Sequence, residues 1–387
     1  MHPDIAVVGA GVVGACAALR LPQAGARVTV LEADHPGSGT SARSFAWVGA
    51  SPRGLWPYFA INAAGMAAHR RLRAELGGAP WLTLTGSLAW FSDPERGPEV
   101  AARVAELRDA GYPSALISAA AAVCDLEPDL RLPPDVEHVA FHPDEGFAAV
   151  LPMIREVLDA AHRLGAEVRA PARAVAIETA GDRVAGVRLE GGESLRAGRV
   201  VVCCGRHSGG LLATAGVHLP MLDPAEPGSP AVGLLALTAP SGTRLSRLLH
   251  ADDLMARPDG AGRLLLHSDP HDARLAGGAE DARALAGEVL AEAGRHLRLA
   301  GPARLESHRV GFRALTADRL PAVGWTGGPE GLYVAATHSG VTLAPVLGEI
   351  IAREVAGGAD EALPAGLRPT RFAPAESTPH RDGVPHA

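Results

Sequence analysis

Gly9, Gly11 and Gly14 stand in the order Gly9-Ala10-Gly11-Val12-Val13-Gly14, and Glu32 comes 18 positions after the last of them. In this GxGxxG spacing the first glycine makes a tight turn, the second lets the backbone approach a pyrophosphate, and the third lets a helix close on a strand. A carboxylate at Glu32 is placed to accept hydrogen bonds from ribose hydroxyls. The chemistry is dinucleotide binding. It needs a strand before the glycines, a helix after them and a second strand ending at the acid, and all three are legible. Ile5-Ala6-Val7-Val8 is a short apolar run of buried-strand type, a helical pattern continues through Leu19 and Leu21, and Arg27-Val28-Thr29-Val30-Leu31 reads as the second strand. A close-packed βαβ unit without a ligand explains the glycines but leaves Glu32 unexplained.

Composition removes or weakens other chemistries. The 387 residues contain no lysine, so all 36 basic residues are arginine. A P-loop, a pyridoxal Schiff base and a protein kinase each need a lysine. Cys16, Cys124, Cys203 and Cys204 form no CxxC pair, so no disulfide framework is expected, and on a strand Cys203 and Cys204 would point to opposite faces. His207-Ser208 and His338-Ser339 are sequence neighbours, which do not readily form the geometry of nucleophile and base. His267, Asp269 and His271 could be imagined around a metal ion, but no helix is expected through Asp269-Pro270 and no metal is expected. A formal charge of -7 with no long basic run speaks against a nucleic-acid surface. Ile5 to Leu19 is the longest uncharged apolar stretch; no basic segment precedes it and glycines recur within it, so neither a secretory signal nor membrane insertion is expected, and the protein reads as cytoplasmic.

The identity of the dinucleotide turns on the residues beyond the acid. A nicotinamide-binding domain would continue into further alternating strands and helices, whereas Gly37-Ser38-Gly39-Thr40-Ser41-Ala42-Arg43-Ser44 is a polar loop running into Phe45-Ala46-Trp47. Three more blocks carry information. Phe141-His142-Pro143-Asp144-Glu145-Gly146 leads into a helix expected over about 151–164. Strands expected at 174–178 and 184–189, around a Gly181-Asp182 turn, lead to Val200-Val201-Val202-Cys203-Cys204-Gly205. Val310-Gly311-Phe312-Arg313 runs through Asp318 and Pro321 to Gly324, then to an expected strand at 332–336 and to His338-Ser339-Gly340-Val341-Thr342 opening a helix. That last helix stands on its residues alone: Val346, Leu347, Ile350, Ile351 and Val355 share one face, and Glu349 with Arg353 forms an i,i+4 pair.

With these blocks the chain resembles, over nearly its whole length, the flavin-dependent D-amino-acid oxidase superfamily, which includes glycine, sarcosine and D-amino-acid oxidases and their dehydrogenase relatives. The resemblance implies an α/β plus α+β fold in which a Rossmann-type FAD-binding domain is interleaved with an antiparallel-sheet substrate domain. Residues 1–80, 147–222 and 306–372 would form the first and 81–146 with 223–305 the second. A tail from Ala373, rich in Pro, Ser, Thr and His, would be disordered.

The same resemblance implies roles for single residues. Noncovalent FAD would be held by Gly9, Ala10, Gly11, Val12, Val13, Gly14, Glu32 and Ala33, and by Ser41, Ala42, Arg43, Ser44 and Ala46 of the polar loop. Ala174 or Val175, Cys204 and Gly205, Arg313, and His338, Ser339, Gly340, Val341 and Thr342 would complete the set. Trp47 would lie close to the isoalloxazine, and Arg313 would hold a substrate carboxylate as a bidentate pair. His267 falls on an expected strand at 262–267, with Arg263 in the position of an active-site lysine of sarcosine oxidases. The implied activity is oxidation of the C–N bond of an amino acid or secondary amine by hydride transfer to flavin N5. The imine is then hydrolysed, and oxygen or another acceptor takes up the electrons. No protein base is strictly needed if the pocket binds the neutral amine, because desolvation lowers the amine pKa. A dehydrogenase with a quinone or carrier-protein acceptor is one alternative. A non-enzymatic FAD-binding protein is another, against which the loop from Arg43 to Trp47 and the presence of Arg313 both speak.

Overall fold

The computed structural model describes residues 4–51, 58–78, 80–278, 280–299, 303–355 and 363–373. The tail for which disorder is expected therefore lies, beyond Ala373, outside the described residues. In chain order the elements that carry the site are β1 (Ile5–Val8), α1 (Val12–Gln23), β2 (Val28–Leu31), β3 (Trp47–Val48), α2 (Tyr58–Glu75), β4 (Gly146–Ala148), β5 (Arg199–Val202), β6 (Val232–Thr238), β7 (Met255–Pro258), β8 (Leu264–His267), α3 (Asp269–Leu275), β9 (Leu305–Phe312), β10 (Ala322–Trp325), β11 (Leu332–Ala336) and α4 (Gly340–Val355).

Apolar runs without alternation become strands buried on both faces. β1, β2 and β11 are buried at every residue. They belong to a six-stranded sheet in the order β10, β11, β5, β1, β2 and Glu167–Arg169, parallel except where β10 runs against β11. Val8 stands opposite both Leu31 and Val202, so the next residues along each strand, Gly9, Glu32 and Cys203, emerge together at one edge. That edge, outside the carboxyl ends of parallel strands, is where such sheets bind ligands.

Glycines set how closely the helices approach. A Cβ on Gly14 would fall 1.9 Å from the Gly9 carbonyl oxygen, one on Gly348 2.8 Å from the Cys16 backbone, and one on Gly65 2.4 Å from the Thr342 oxygen. α1, α2 and α4 thus touch backbone to backbone, and α4 is held with its first turn at the ligand edge of the sheet. Pro345 lies inside α4 and has no N–H to give to the carbonyl four residues earlier, Val341. His69 of α2 donates to that carbonyl instead, Nε2 to oxygen at 2.7 Å.

The second large sheet has eight strands in the order β9, β6, β8, β7, Leu248–His250, Ser87–Ala89, His138–His142 and Ala115–Ser118. It is antiparallel apart from the pairing of Leu248–His250 with Ser87–Ala89. Its alternation decides which residues face the ligand. Leu234 and Ala236 of β6, Leu264 and Leu266 of β8 and Ala256 of β7 pack with Leu285, Val289 and Ala293 of a covering helix, Ala282–His296. The intervening residues point the other way, so Leu235, Leu237 and Leu265 pack on Phe45, and His267 shares their face. β9 pairs with β6 along its length, so hydrogen bonding carries this sheet past the boundary expected at residue 306.

A small sheet of β3, β4 and Leu82–Thr83 and a hairpin sheet of Ala174–Ala180, Arg183–Leu189 and Ser194–Arg196 complete the strands used here. The hairpin turns at Gly181, with φ of 65°, at the position expected from the sequence. The helix expected over 151–164 is Val150–Arg163. Among the described residues no helix is long and apolar enough to cross a membrane.

Candidate active site

At the ligand edge a groove of about 430 Å³ opens between the β1–α1 turn and the loop after β5. Gly9, Gly11, Val12, Val13, Glu32, Ala33, Ser41, Ser44, Ala174, Val175, Cys204, Gly205, His338, Gly340 and Val341 line it, all anticipated from the sequence. The two leading glycines serve different ends. Gly9 has φ of +101° and its Cβ would meet the Cys203 oxygen at 2.6 Å, so the fold itself demands glycine there. Gly11 has an ordinary φ of -69°, and within 4 Å its Cβ would meet only Ser41 Oγ, at 3.3 Å. Its bare side faces the groove, a cradle that a Cβ would fill. Val12 N–H donates to Ser41 Oγ at 3.1 Å, while Glu32 accepts from Ala10 N–H at 2.8 Å and Asp34 N–H at 3.1 Å.

Three of the anticipated residues line neither this groove nor the cavity beside it. Ala10 is fully buried behind Glu32, Gly14 lies against Gly9, and Ala42 gives its carbonyl to Arg309, so none of the three lines a cavity. Arg173, Arg206 and His207 do line the groove and are not among the residues anticipated for it, because nothing in their local sequence sets them apart from other surface cations. The Cys204 thiol is pushed up to about 11 by burial, so it stays protonated and unreactive at neutral pH.

Beside the groove lies a larger cavity of about 790 Å³, and Thr40, Ser44, His338 and Val341 line both. Arg43, Ala46, Trp47, His267, Arg313, Ser339 and Thr342, all residues to which the sequence points, line this cavity. The first turn of α4 opens here, so its partial positive charge falls between the two spaces. It is fixed by Tyr58, whose hydroxyl donates to Ser339 Oγ at 2.6 Å, and by Thr342, whose hydroxyl donates to the Trp47 carbonyl at 2.9 Å. Ala46 sits at φ of +60°, a left-handed conformation rarely taken by an L-residue. The turn throws Phe45 under the antiparallel sheet and Trp47 into β3.

Trp47 is held by a residue that the sequence offers only as part of a block. Glu145, fully buried, accepts from the Trp47 indole N–H at 3.1 Å, the backbone N–H groups of Ala50 and Ser51 at 3.0 and 2.9 Å, the Ser87 hydroxyl at 2.7 Å and the Tyr112 hydroxyl at 2.6 Å. Burial acts to raise its pKa and is outweighed by His142, Tyr112, His250 and Ser87, so the carboxylate is held below its usual range. Arg257, buried on β7, donates from Nε to the Phe45 carbonyl at 2.7 Å and lies over Phe147. Neither role has a local signal.

Arg313 reaches the cavity from the segment after β9, but not alone. Its Nη1 donates to the Pro230 carbonyl at 2.9 Å, and its Nη2 pairs with Asp272 Oδ2 and reaches His267 Nε2 at 2.8 Å, a ring nitrogen that itself lies 2.8 Å from the same Asp272 oxygen. Asp272 stands on α3, a helix that begins at Asp269-Pro270 where none is expected. Proline in a first helical turn lacks only an N–H that would be unpaired anyway. The ligand atoms of His267, Asp269 and Asp272 lie within 4.8 Å of one another, and the cation among them is the Arg313 guanidinium. Arg263 corrects a further expectation. It lies at the opposite end of β8 from His267, 3.5 Å from Glu306, and is not among the described residues lining either space. Two residues share a strand face at i and i+4, yet about 13 Å of strand separates them.

The profile of a family described as FAD dependent oxidoreductase matches residues 4–354. A glycine oxidase from Pseudomonas aeruginosa is 28% identical over 389 residues, covering 92% of this chain and 96% of its own. Among solved structures, a glycine oxidase from Geobacillus kaustophilus is similar with a TM-score of 0.83 at 22% identity, covering 96% of this chain and 99% of its own. An iminodiacetate oxidase from Chelativorans sp. BNC1 is similar with a TM-score of 0.80 at 22% identity, covering 94% of this chain and 98% of its own. At these identities the two structures speak for the fold.

Proposed function

The chain belongs to the FAD-dependent oxidoreductase family, and on that premise we propose that it oxidises the C–N bond of an amino acid or secondary amine with noncovalently held FAD. When bound, FAD supplies the two-electron acceptor for the hydride that leaves the substrate carbon, and water then hydrolyses the resulting C=N bond to a carbonyl and an amine. Every other part falls to the residues of this chain. Glu32 holds the ribose hydroxyls, the bare face of Gly11 and the first turn of α1 take the pyrophosphate, and the first turn of α4 offers partial positive charge where reduction places negative charge. Trp47 and Ala46 shape the wall of the cavity. Arg313 offers its remaining donors to a substrate carboxylate, orienting the reacting C–H.

One observation carries this reading: the dinucleotide groove and the cavity that Arg313 enters adjoin and share Thr40, Ser44, His338 and Val341 as lining residues. The same reading takes the protein as cytoplasmic and assigns 1–80, 147–222 and 306–372 to FAD and 81–146 with 223–305 to substrate. Electrons pass on to oxygen or another acceptor; Arg263, paired with Glu306, is not among the described residues lining the cavity, whereas His267 is. The test is spectroscopic. The purified protein is expected to be yellow, to release intact FAD on acid precipitation and to bleach anaerobically with at least one member of a panel of glycine, sarcosine, proline and D-amino acids. A colourless protein that takes up no FAD, or a flavin that no amine bleaches, would sink it.

A further inference from the structure

The counterion of Arg313 is unusual in its depth. Asp272 is 2% exposed and receives the Leu234 N–H on Oδ1 at 2.6 Å, while His267 Nε2 and Arg313 Nη2 converge on Oδ2. The guanidinium lies flat on β6, where a Cβ on Gly233 would stand 3.2 to 3.4 Å from its Nη2, Cζ and Nε. Of the five N–H donors of an arginine, the two on Nη2 face Asp272 Oδ2 and His267 Nε2 and one on Nη1 faces the Pro230 carbonyl, which leaves the second Nη1 hydrogen and that of Nε for a ligand. Among the described residues the charged and titratable groups in contact with Arg313 are Asp272 and Asp269 from α3 and His267 from β8, while Arg43, Arg103, Arg319, Glu99, Asp252 and Asp253 also line the cavity. Asp269, with its side chain 78% exposed, stands 3.7 Å from Arg313 Nη2. A ligand anion arriving at Arg313 therefore meets a guanidinium already flanked by two carboxylates.

We propose that Asp272 sets the charge selectivity of the cavity, offsetting Arg313 so that zwitterionic amines with a single carboxylate are accepted and net-anionic dicarboxylic amines are turned away. The inference rests on Arg313 being the carboxylate contact of the reading above. A zwitterion brings no net charge: its carboxylate takes the free donors of Arg313 and its ammonium is compensated by Asp269. A second carboxylate adds one unit of negative charge within a few ångströms of two fixed ones, in a site where water screens poorly. Asp272 is anchored by a backbone N–H and cannot swing away as an exposed acid could.

Equilibrium titration of the holoenzyme, read from perturbation of the flavin absorbance, tests this without turnover, with acetate and malonate as unreactive mono- and dianion. The wild type should bind acetate at least about tenfold more tightly than malonate, and Asp272→Asn should raise malonate affinity relative to acetate by about tenfold. Asp269→Asn, at an exposed position, should give a clearly smaller gain, and adding Arg313→Met to Asp272→Asn should remove the gain. A role for Asp272 in folding alone would weaken both ligands in parallel and leave the ratio where it was. An unchanged ratio, or equal gains from the two aspartate variants, overturns the proposal. Should Asp272→Asn not retain flavin, the wild-type preference still decides: malonate bound as tightly as acetate refutes it. If no carboxylate and no amine perturbs the wild-type spectrum, the Arg313 reading falls and takes this with it, whereas a normal response with the wrong ratio condemns Asp272 alone.

Discussion

Glu145 is a fully buried carboxylate, kept ionised by donors that each need an acceptor. Replacing it by Gln preserves its size but brings an NH₂ group in among donors, so part of the set formed by Trp47, Ala50, Ser51, Ser87 and Tyr112 is left unpaired. An unsatisfied buried donor costs about 1–3 kcal/mol. Glu145→Gln should therefore lower stability by roughly 3 kcal/mol if two donors are lost, and it should loosen Trp47, weakening flavin affinity. Urea unfolding and fluorescence titration with FAD check the two effects; wild-type values in both would show that the hub is dispensable. The sequence does not expose this role, because the partners of Glu145 lie 33 to 98 positions away. Asp272 is hidden in the same way, 41 positions from Arg313. Gly9, Gly11 and Glu32 are legible for the opposite reason, since one βαβ unit encodes their geometry locally.

At the scale of elements, the periodic segments are legible within a residue or two, and the failures come from local rules applied too strictly. Asp269-Pro270 reads as a helix breaker, although a first-turn proline is tolerated. Pro345 stands deep enough in α4 to deprive Val341 of a partner. His69 makes up that loss across the α2–α4 contact. Burial holds the His69 pKa down to about 4 from 6.5, and among the described residues its Nδ1 has no partner, so a second proton there would be unpaired as well as desolvated. The sign comes from linkage: the unfolded chain binds this proton below pH about 6.5 and the folded chain only below about 4, so the contribution is intact above 6.5 and is lost as pH falls toward 4. The full loss is about 3 kcal/mol, from 1.36 kcal/mol per pKa unit. His69→Phe should flatten the stability profile between pH 6.5 and 4, while costing about 1–3 kcal/mol at pH 7.5 for the orphaned carbonyl. Unfolding free energies at four pH values decide it; a variant with the same slope as the wild type would assign the acid sensitivity to other groups.

At the scale of the whole molecule, the ligand space is assembled from segments spread over more than 330 positions, from Val8 in the first strand to Val341 in the last helix. A ligand that binds only this assembly stabilises it by mass action, by about 2.7 kcal/mol when present at a hundredfold excess over its Kd. Gly11 separates that contribution from the stability of the fold itself. Its backbone lies at φ of -69° and ψ of 179°, open to any residue, and its Cβ would press only on Ser41 Oγ. The chain has no need of glycine at this point, whereas a pyrophosphate approaching the backbone does. Gly9 is the contrast, since its positive φ and its 2.6 Å approach to the Cys203 oxygen make it indispensable with or without ligand. Gly11→Val should thus leave the melting temperature of the flavin-free protein within about 2 °C of wild type, a shift typical of effects below about 0.5 kcal/mol. It should abolish the rise of several degrees that added FAD gives the wild type. Gly9→Val should lower the flavin-free melting temperature outright. Differential scanning calorimetry of the three proteins with and without FAD distinguishes these outcomes. A Gly11 variant that still gains its full stabilisation from FAD would place the pyrophosphate somewhere other than the first turn of α1.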